Sequence, residues 1–173
     1  MNIKLVITDI DGVWTDGGMY YDNNGNEFKK FNTSDSAGVM MLRGLNIPLV
    51  IMTGEDTAIV KRRAEKLKVD YLFMGIRNKL LVATTLCRDL GVTLEETAFI
   101  GDDINDVPLL RAVGLSATPA NAADYVRSEA NWRLSRKGGD GVFREFVEKI
   151  VTEMGLFDKV MSEYYARITS YDG

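Results

Sequence analysis

Lys4-Leu5-Val6-Ile7-Thr8-Asp9-Ile10-Asp11-Gly12 is the stretch that decides the fold. A short apolar, β-branched run reads as a buried strand, and it ends on two carboxylates one residue apart. Alternate strand residues point the same way, so Asp9 and Asp11 can both reach into one crevice at the strand's carboxyl end. Two carboxylates that close repel each other. A bound divalent cation offsets the repulsion and also attracts an oxyanion such as phosphate. Taken alone, Asp11-Gly12 reads equally well as a solvated turn, so the rest of the chain has to decide.

Working outward, further short apolar runs suggest strands at 48–52, 71–74, 98–100 and 114–116, after a first at 4–8. Helical patterns fall at 36–45, 57–67, 79–90, 107–113, 122–126 and 142–154. Strand–helix alternation predicts an α/β fold, a mostly parallel sheet sandwiched between two helical layers. Ligands in such folds bind outside the carboxyl ends of the strands. One segment breaks the alternation. Met19 to Phe28 reads as a β-hairpin, with aromatic residues flanking Asn23-Asn24-Gly25, a turn expected to supply positive φ angles. It follows the aspartate pair directly, so it should overhang the site. Its apolar side chains are many for a free loop, so it should pack on its own domain or, the favoured reading, on another subunit. With no repeat or linker, residues 1–173 read as one domain, with the hairpin at about 15–31 and a partly apolar tail at about 156–173.

Composition narrows the chemistry. The chain of 173 residues carries no histidine, which removes serine–histidine, cysteine–histidine and histidine-ligated zinc mechanisms together. Its net charge of −4 disfavours nucleic acid and anionic membranes as partners. The single Cys87 lies in an apolar helical pattern and reads as a core filler; one thiol suits a reducing cytoplasm. There is no signal-peptide pattern and no run of the roughly 20 apolar residues a membrane span needs.

Three more features fall where strands should end. Thr53-Gly54 offers a hydroxyl and a close backbone approach to a phosphate oxygen, or else a plain turn. Lys79 opens a helix, where its charge opposes the helix dipole; neutralising a phosphate and a carboxylate would explain it, and so would solvation. Gly101-Asp102-Asp103-Ile104-Asn105-Asp106 places three carboxylates just past a strand, an oxygen-rich set suited to a hard cation such as magnesium.

Asp9-x-Asp11-Gly12-x-x-Thr15, Thr53-Gly54, Lys79 and Gly101-Asp102-Asp103-x-Asn105-Asp106, in that order, resemble the haloacid dehalogenase (HAD) superfamily of phosphohydrolases, over roughly residues 3 to 150. Asp16-Gly17, the hairpin, Asp35-Ser36-Ala37-Gly38 and Gly138-Gly139-x-Gly141-x-x-Arg144-Glu145 are similar to its small capless branch of sugar acid phosphatases. That branch includes the phosphatases of 3-deoxy-manno-octulosonate 8-phosphate (KDO-8-phosphate) and 2-keto-3-deoxynononate 9-phosphate (KDN-9-phosphate). The octulosonate enzymes usually carry arginine after Thr-Gly; Glu55 stands here, with Arg63 and Lys66 on the next helix, and this pattern resembles the nononate enzyme.

The resemblance implies a Rossmann-like, HAD-type fold without a cap domain and a magnesium-dependent phosphatase acting on KDN-9-phosphate, with KDO-8-phosphate as the alternative. It implies that Asp9 attacks phosphorus, that Asp11 serves as acid and then base, and that Thr53 and Lys79 hold the phosphoryl oxygens. Magnesium would sit on Asp9, the backbone carbonyl of Asp11, and Asp102. Asp103 and Asp106 would stand behind them, Asp103 orienting Lys79 or the metal's waters. Thr15, Gly54, Glu55, Arg63 and Lys66 would bind substrate, the last two at the sugar acid's carboxylate. A homotetramer is implied, in which a neighbouring subunit supplies the lid and the glycine-rich segment. The metal's role has a scale: a carboxylate about 4 Å from a phosphate charge is repelled by roughly 4 kcal/mol at an effective dielectric near 20, about a thousandfold in rate. Two other classes compete. A signalling receiver domain needs an aspartate after its third strand, where this chain has Phe73-Met74-Gly75. A non-catalytic regulatory domain would have a degenerate site, and every motif here is intact.

Overall fold

The computed structural model describes residues 1–170. Its centre is a six-stranded, all-parallel sheet: β1 (Leu5–Thr8), β4 (Leu49–Met52), β5 (Tyr71–Phe73), β6 (Thr97–Ile100), β7 (Leu115–Thr118) and β8 (Trp132–Arg133), ordered β5-β4-β1-β6-β7-β8. A separate two-stranded hairpin, β2 (Tyr20–Tyr21) and β3 (Glu27–Phe28), follows β1. The helices are α1 (Ser36–Gly44), α2 (Ala58–Leu67), α3 (Lys79–Leu90), α4 (Val107–Ala112), α5 (Asp124–Arg127), α6 (Val142–Glu153) and α7 (Phe157–Thr169).

The strands are buried on both faces, so they read as continuous apolar runs. Alternation sorts their side chains. Val6, Ile51, Ala98 and Leu115 face a core built with α1, α2 and α6. Leu5, Ile7, Val50, Met52 and Phe99 face a second core built with α3 and α4. Cys87 is buried in that second core, the filler role expected of it. The chain leaves central β1 toward β4 on one side and β6 on the other, and the crevice between those two directions is where ligands bind in open parallel sheets.

Hydrogen bonds past the strand ends carry the ladder into the site. The Asp9 N–H donates to the Ile100 carbonyl (3.0 Å), Thr53 N–H to Phe73 (3.0 Å) and Gly101 N–H to Ala117 (3.3 Å). Side-chain caps fix the next helices. Thr57 caps α2 and Asn78 caps α3, so Lys79 is the first residue of its helix.

Several expectations shift. The last core strand, expected at 114–116, runs Leu115–Thr118, and α5 begins two residues later than its pattern suggested. β8 and α7 were not anticipated; two residues are too few to show a period, and the tail's 156–169 portion folds on as a helix that buries Val160 against α1. Residues 171–173 of that tail lie outside the described residues. Of Asn23, Asn24 and Gly25, only Gly25 takes a positive φ (82°). The Asp22 carboxylate shapes the turn instead, accepting from Asn24 N–H (2.8 Å) and from the backbone (2.9 Å) and side-chain (2.6 Å) N–H groups of Asn26.

Trp14, just past the aspartate pair, is fully buried and stacks on Phe143 of α6 at 4.5 Å between ring centroids. Its indole N–H donates to the Thr8 hydroxyl (2.9 Å). Phe143 therefore supports the loop that carries the site. Phe143→Ala is expected to lower unfolding free energy by about 3–5 kcal/mol. Urea unfolding at neutral pH checks this; a loss under about 1 kcal/mol contradicts the packing role.

Candidate active site

A cavity of about 350 Å³ opens at the carboxyl edge of the sheet, lined by Asp9, Asp11, Thr53, Gly54, Glu55, Asp102 and Asp103 among others. Each comes from the end of a central strand, so the sheet's register gathers them.

Asp9 is buried, and its Oδ1 accepts from Ile10 N–H (2.7 Å). Its Oδ2 lies 2.7 Å from the Lys79 ammonium, and Lys79 is sealed in with 1% of its side chain exposed. The same ammonium reaches Asp106 Oδ1 at 2.6 Å. Burial alone would discharge Lys79, but the charges of Asp9 and Asp106 outweigh it and push its pKa up. That settles why a cation sits at the start of α3 against the dipole. Asp106 is the organiser here. Its Oδ2 accepts the backbone N–H groups of Asp102 (2.9 Å) and Asp103 (3.2 Å). It is thus Asp106, not Asp103, that orients Lys79; Asp103 caps its own turn through Ile104 N–H (2.7 Å).

Oxygens of Asp9, Asp102 and Asp106 lie within 4.8 Å of one another. Asp102 Oδ1 is buried with no partner in the protein, and a Cβ on Gly12 would collide with the other Asp102 oxygen. An all-oxygen donor set with an orphaned carboxylate oxygen fits a hard divalent cation. Asp106 is committed to Lys79 and two N–H groups and Asp9 to Lys79 and the Ile10 N–H, whereas Asp102 keeps an unpartnered oxygen; of the three, Asp9 and Asp102 are the ones that line the cavity and would ligate. The Asp11 side chain stands outside this cluster. Without a cation the charge is relieved by protons. Burial pushes Asp102 up to about 8, helped by the charges of Asp9, Asp106 and Asp103. Burial likewise pushes Asp9 up to about 7, against the pull of Lys79.

Thr53 is buried; its hydroxyl accepts from Glu55 N–H (3.3 Å), which leaves its own proton to donate toward a bound oxyanion. Thr15 has a different task from the expected one. It is 1% exposed, and its hydroxyl accepts from Gly12 N–H (3.3 Å) and Gly17 N–H (3.2 Å) while donating to Asp11 Oδ1 (3.3 Å). It shapes the loop and holds Asp11 rather than facing a ligand. Arg63 and Lys66 do not line the cavity: Arg63 donates to the Asn32 carbonyl (3.3 Å) and lies over the Phe31 ring, and Lys66 is exposed on α2.

Two residues went unanticipated. Lys29, from the end of the hairpin, places its ammonium 2.6 Å from Asp11 and 2.7 Å from Glu55. Asn121 donates to the Gly12 carbonyl (3.1 Å) and accepts from Gly138 N–H (2.6 Å). Gly139 N–H donates to the Val13 carbonyl (3.0 Å), and a Cβ on Gly138 would overlap the Gly12 carbonyl. The glycine-rich segment therefore packs on the loop after Asp11 in its own chain. The only sequence signal for it was the bare-backbone pattern Gly138-Gly139, which permits such an approach.

Comparison with known proteins gives concordant matches. A sequence model described as haloacid dehalogenase-like hydrolase matches residues 76–146. The 3-deoxy-D-manno-octulosonate 8-phosphate phosphatase KdsC of Haemophilus influenzae is 41% identical over 154 residues, 89% of this chain and 86% of that one. The fold superposes on the enzyme of the same name from Moraxella catarrhalis, solved with a magnesium ion, a phosphate ion and a KDO molecule: TM-score 0.90, 32% identity, 94% of each chain covered. It superposes likewise on the cobalt-bound H. influenzae phosphatase: TM-score 0.85, 40% identity, covering 90% of this chain and 91% of that one.

The raised carboxyls set a pH dependence. Asp9 and Asp102 bind protons in the folded chain up to about 7 and 8, but only to about 3.8 when unfolded. Their contribution to stability is full below about pH 4 and is lost as pH rises through 7 and 8. EDTA-treated protein is expected to show a falling Tm from pH 5 to pH 8.5, and added magnesium to raise Tm more at pH 8.5 than at pH 5. Thermal denaturation checks it; a magnesium effect larger at pH 5 contradicts the cation site.

Proposed function

This chain belongs to the haloacid dehalogenase-like hydrolases and is a phosphoric monoester hydrolase; we propose that it removes phosphate from a 2-keto-3-deoxy sugar acid phosphate, in the cytoplasm and with magnesium as its ion. The observation that carries the reading is that Asp9, backed by the Lys79 ammonium, lines one cavity with Thr53 and with Asp102, whose Oδ1 has no partner. In this reading the Asp9 carboxylate forms a bond to phosphorus as the bond to the sugar oxygen breaks. Asp11 gives that oxygen its proton, then takes one from the water that hydrolyses the aspartyl phosphate. Lys79 and the Thr53 hydroxyl neutralise and hold the phosphoryl oxygens. A magnesium ion on Asp9 and Asp102 would supply the positive charge that lets a carboxylate approach a doubly negative ester.

The relatives named for their substrate favour KDO-8-phosphate, and that is the substrate proposed first. The nine-carbon KDN-9-phosphate is a second reading, favoured by one observation: Glu55 lines the cavity at the position where octulosonate enzymes usually carry arginine. Neither nucleic acid nor a membrane is a proposed partner. The net charge is −4, and among the described residues no helix is long and apolar enough to cross a membrane. A homotetramer, with a neighbour over the cavity, accounts for the hairpin's exposed Met19, Tyr20, Tyr21 and Phe28.

Phosphate release from both sugar acid phosphates tests the substrate. A kcat/KM ratio favouring KDO-8-phosphate supports the first reading and the reverse ratio the second. Release from neither returns the site to a regulatory role. Asp9→Asn is expected to retain at most a few per cent of activity with an unchanged circular dichroism spectrum; greater activity removes Asp9 as nucleophile. Light scattering is expected to give four times the 19.3 kDa chain mass, and an active monomer defeats the tetramer.

A further inference from the structure

Lys29 lies outside every motif that marks the site, yet only 2% of its side chain is exposed. The neighbouring Lys30 leaves 67% of its side chain exposed. Sealing in an ammonium is unfavourable unless its charge is met, and Lys29 meets two carboxylates: Asp11 Oδ1 at 2.6 Å and Glu55 Oε2 at 2.7 Å, with Glu27 further off at 4.0 Å. The geometry at Asp11 is one-sided. Lys29 and the Thr15 hydroxyl both donate to Oδ1, while Oδ2 is buried without a partner. A carboxyl that must give and then take a proton needs one oxygen held and the other uncommitted.

Resting on the phosphatase reading in which Asp11 is the acid, we propose that Lys29 is a positioning residue: it anchors Asp11 through Oδ1, reserves Oδ2 for proton exchange with the leaving oxygen, and ties that orientation to Glu55. The hairpin is then part of the catalytic machinery and not solely a surface for a neighbouring subunit. One ammonium joins the group that serves the leaving oxygen to the carboxylate that faces the sugar. Displacing either from Lys29 loosens the other.

The role separates from plain support of the fold by leaving group. An alkyl oxygen needs a proton to depart, whereas p-nitrophenolate leaves unaided. Lys29→Met keeps the length of the stem and removes the charge. Its kcat on the sugar acid phosphate is expected to fall at least about 30-fold and on p-nitrophenyl phosphate less than about threefold. In an Asp11→Asn background the same change should add little, because Lys29 acts through Asp11. Equal losses on both esters, no loss on either, or losses that multiply in the double variant would overturn the proposal. Should Lys29→Met fail to fold, Lys29→Arg carries the same comparison: its charge remains but its planar fork cannot reproduce both contacts, so a smaller loss confined to the alkyl ester is expected. Wild-type protein inactive on both sugar acid phosphates would sink the substrate assignment alone, since any alkyl phosphate it does hydrolyse serves here. Turnover of aryl but of no alkyl phosphate would overturn the positioning role.

Discussion

The Lys79 ammonium, closed off from water between Asp9 and Asp106, is the interaction on which the carboxyl edge of the sheet depends. It joins three elements that are distant in sequence: the end of β1, the start of α3 and the turn after β6. Removing one partner of a buried ion pair leaves an uncompensated charge, which is far more damaging than the pair is stabilising. Lys79 could not be lost without stranding Asp106, and Asp106 also carries the N–H groups that set the Asp102 turn. Structure and chemistry thus share one support. Lys79, which meets Asp9, is itself held by Asp106, the residue that ties together the turn carrying Asp102.

A second ammonium does a similar job further out. Lys29 lies between Asp11 and Glu55, both of which keep a third or more of their side chains exposed. The two lysines brace from behind the carboxylates that line the cavity: Lys79 at a sealed floor through Asp9, and Lys29 at a more open wall through Asp11 and Glu55. The floor is built from strand ends and is set by the sheet's register. The wall depends on a hairpin of two residues per strand, which is marginal on its own. Its attachment rests on Lys29, the Thr15–Phe31 bridge and the bond from the Tyr20 hydroxyl to Asp16 (2.6 Å).

The floor was legible in the chain and the wall was not, for a physical reason. Asp9, Thr53 and Asp102 each follow a run whose apolar pattern announces a strand, and Lys79 opens a helix, so topology puts them near one edge of the sheet; a plain turn or a solvated lysine explained Thr53 and Lys79 as well until the motifs were taken together. Asp106 was readable as a supporting residue, but Asp103 was given the orienting of Lys79 or of the metal's waters, because spacing cannot tell which of two carboxylates in a short turn points inward. Lys29 was missed because the hairpin reverses the usual polarity rule. Phe28 is 55% exposed and the lysine beside it is buried. Alternation does say that the two point opposite ways, but hydrophobicity would choose Phe28 for the inside. Only the two carboxylates waiting there make the other choice favourable, and they come from elsewhere in the chain. Arg63 and Lys66 were placed on one helix by periodicity, which does not say that Arg63 turns to the Phe31 ring and the Asn32 carbonyl or that Lys66 stays exposed.

Electrostatics explains why such a site favours a cation. Asp9, Asp11, Glu55, Asp102, Asp103 and Asp106 crowd the cavity and its floor, and Lys29 and Lys79 are the cations paired with them. Burial and mutual repulsion raise Asp9 to about 7 and Asp102 to about 8. In the proposed mechanism Asp9 attacks as a carboxylate, so a proton held there opposes the chemistry. Cation binding requires ionised ligands and releases those protons. A cation held by Asp9 and Asp102 would therefore favour ionised Asp9 and supply the positive charge that attack on a dianion needs. Activation and charge balance would then be coupled, because more carboxylates stand at this strand edge than the lysines beside them neutralise.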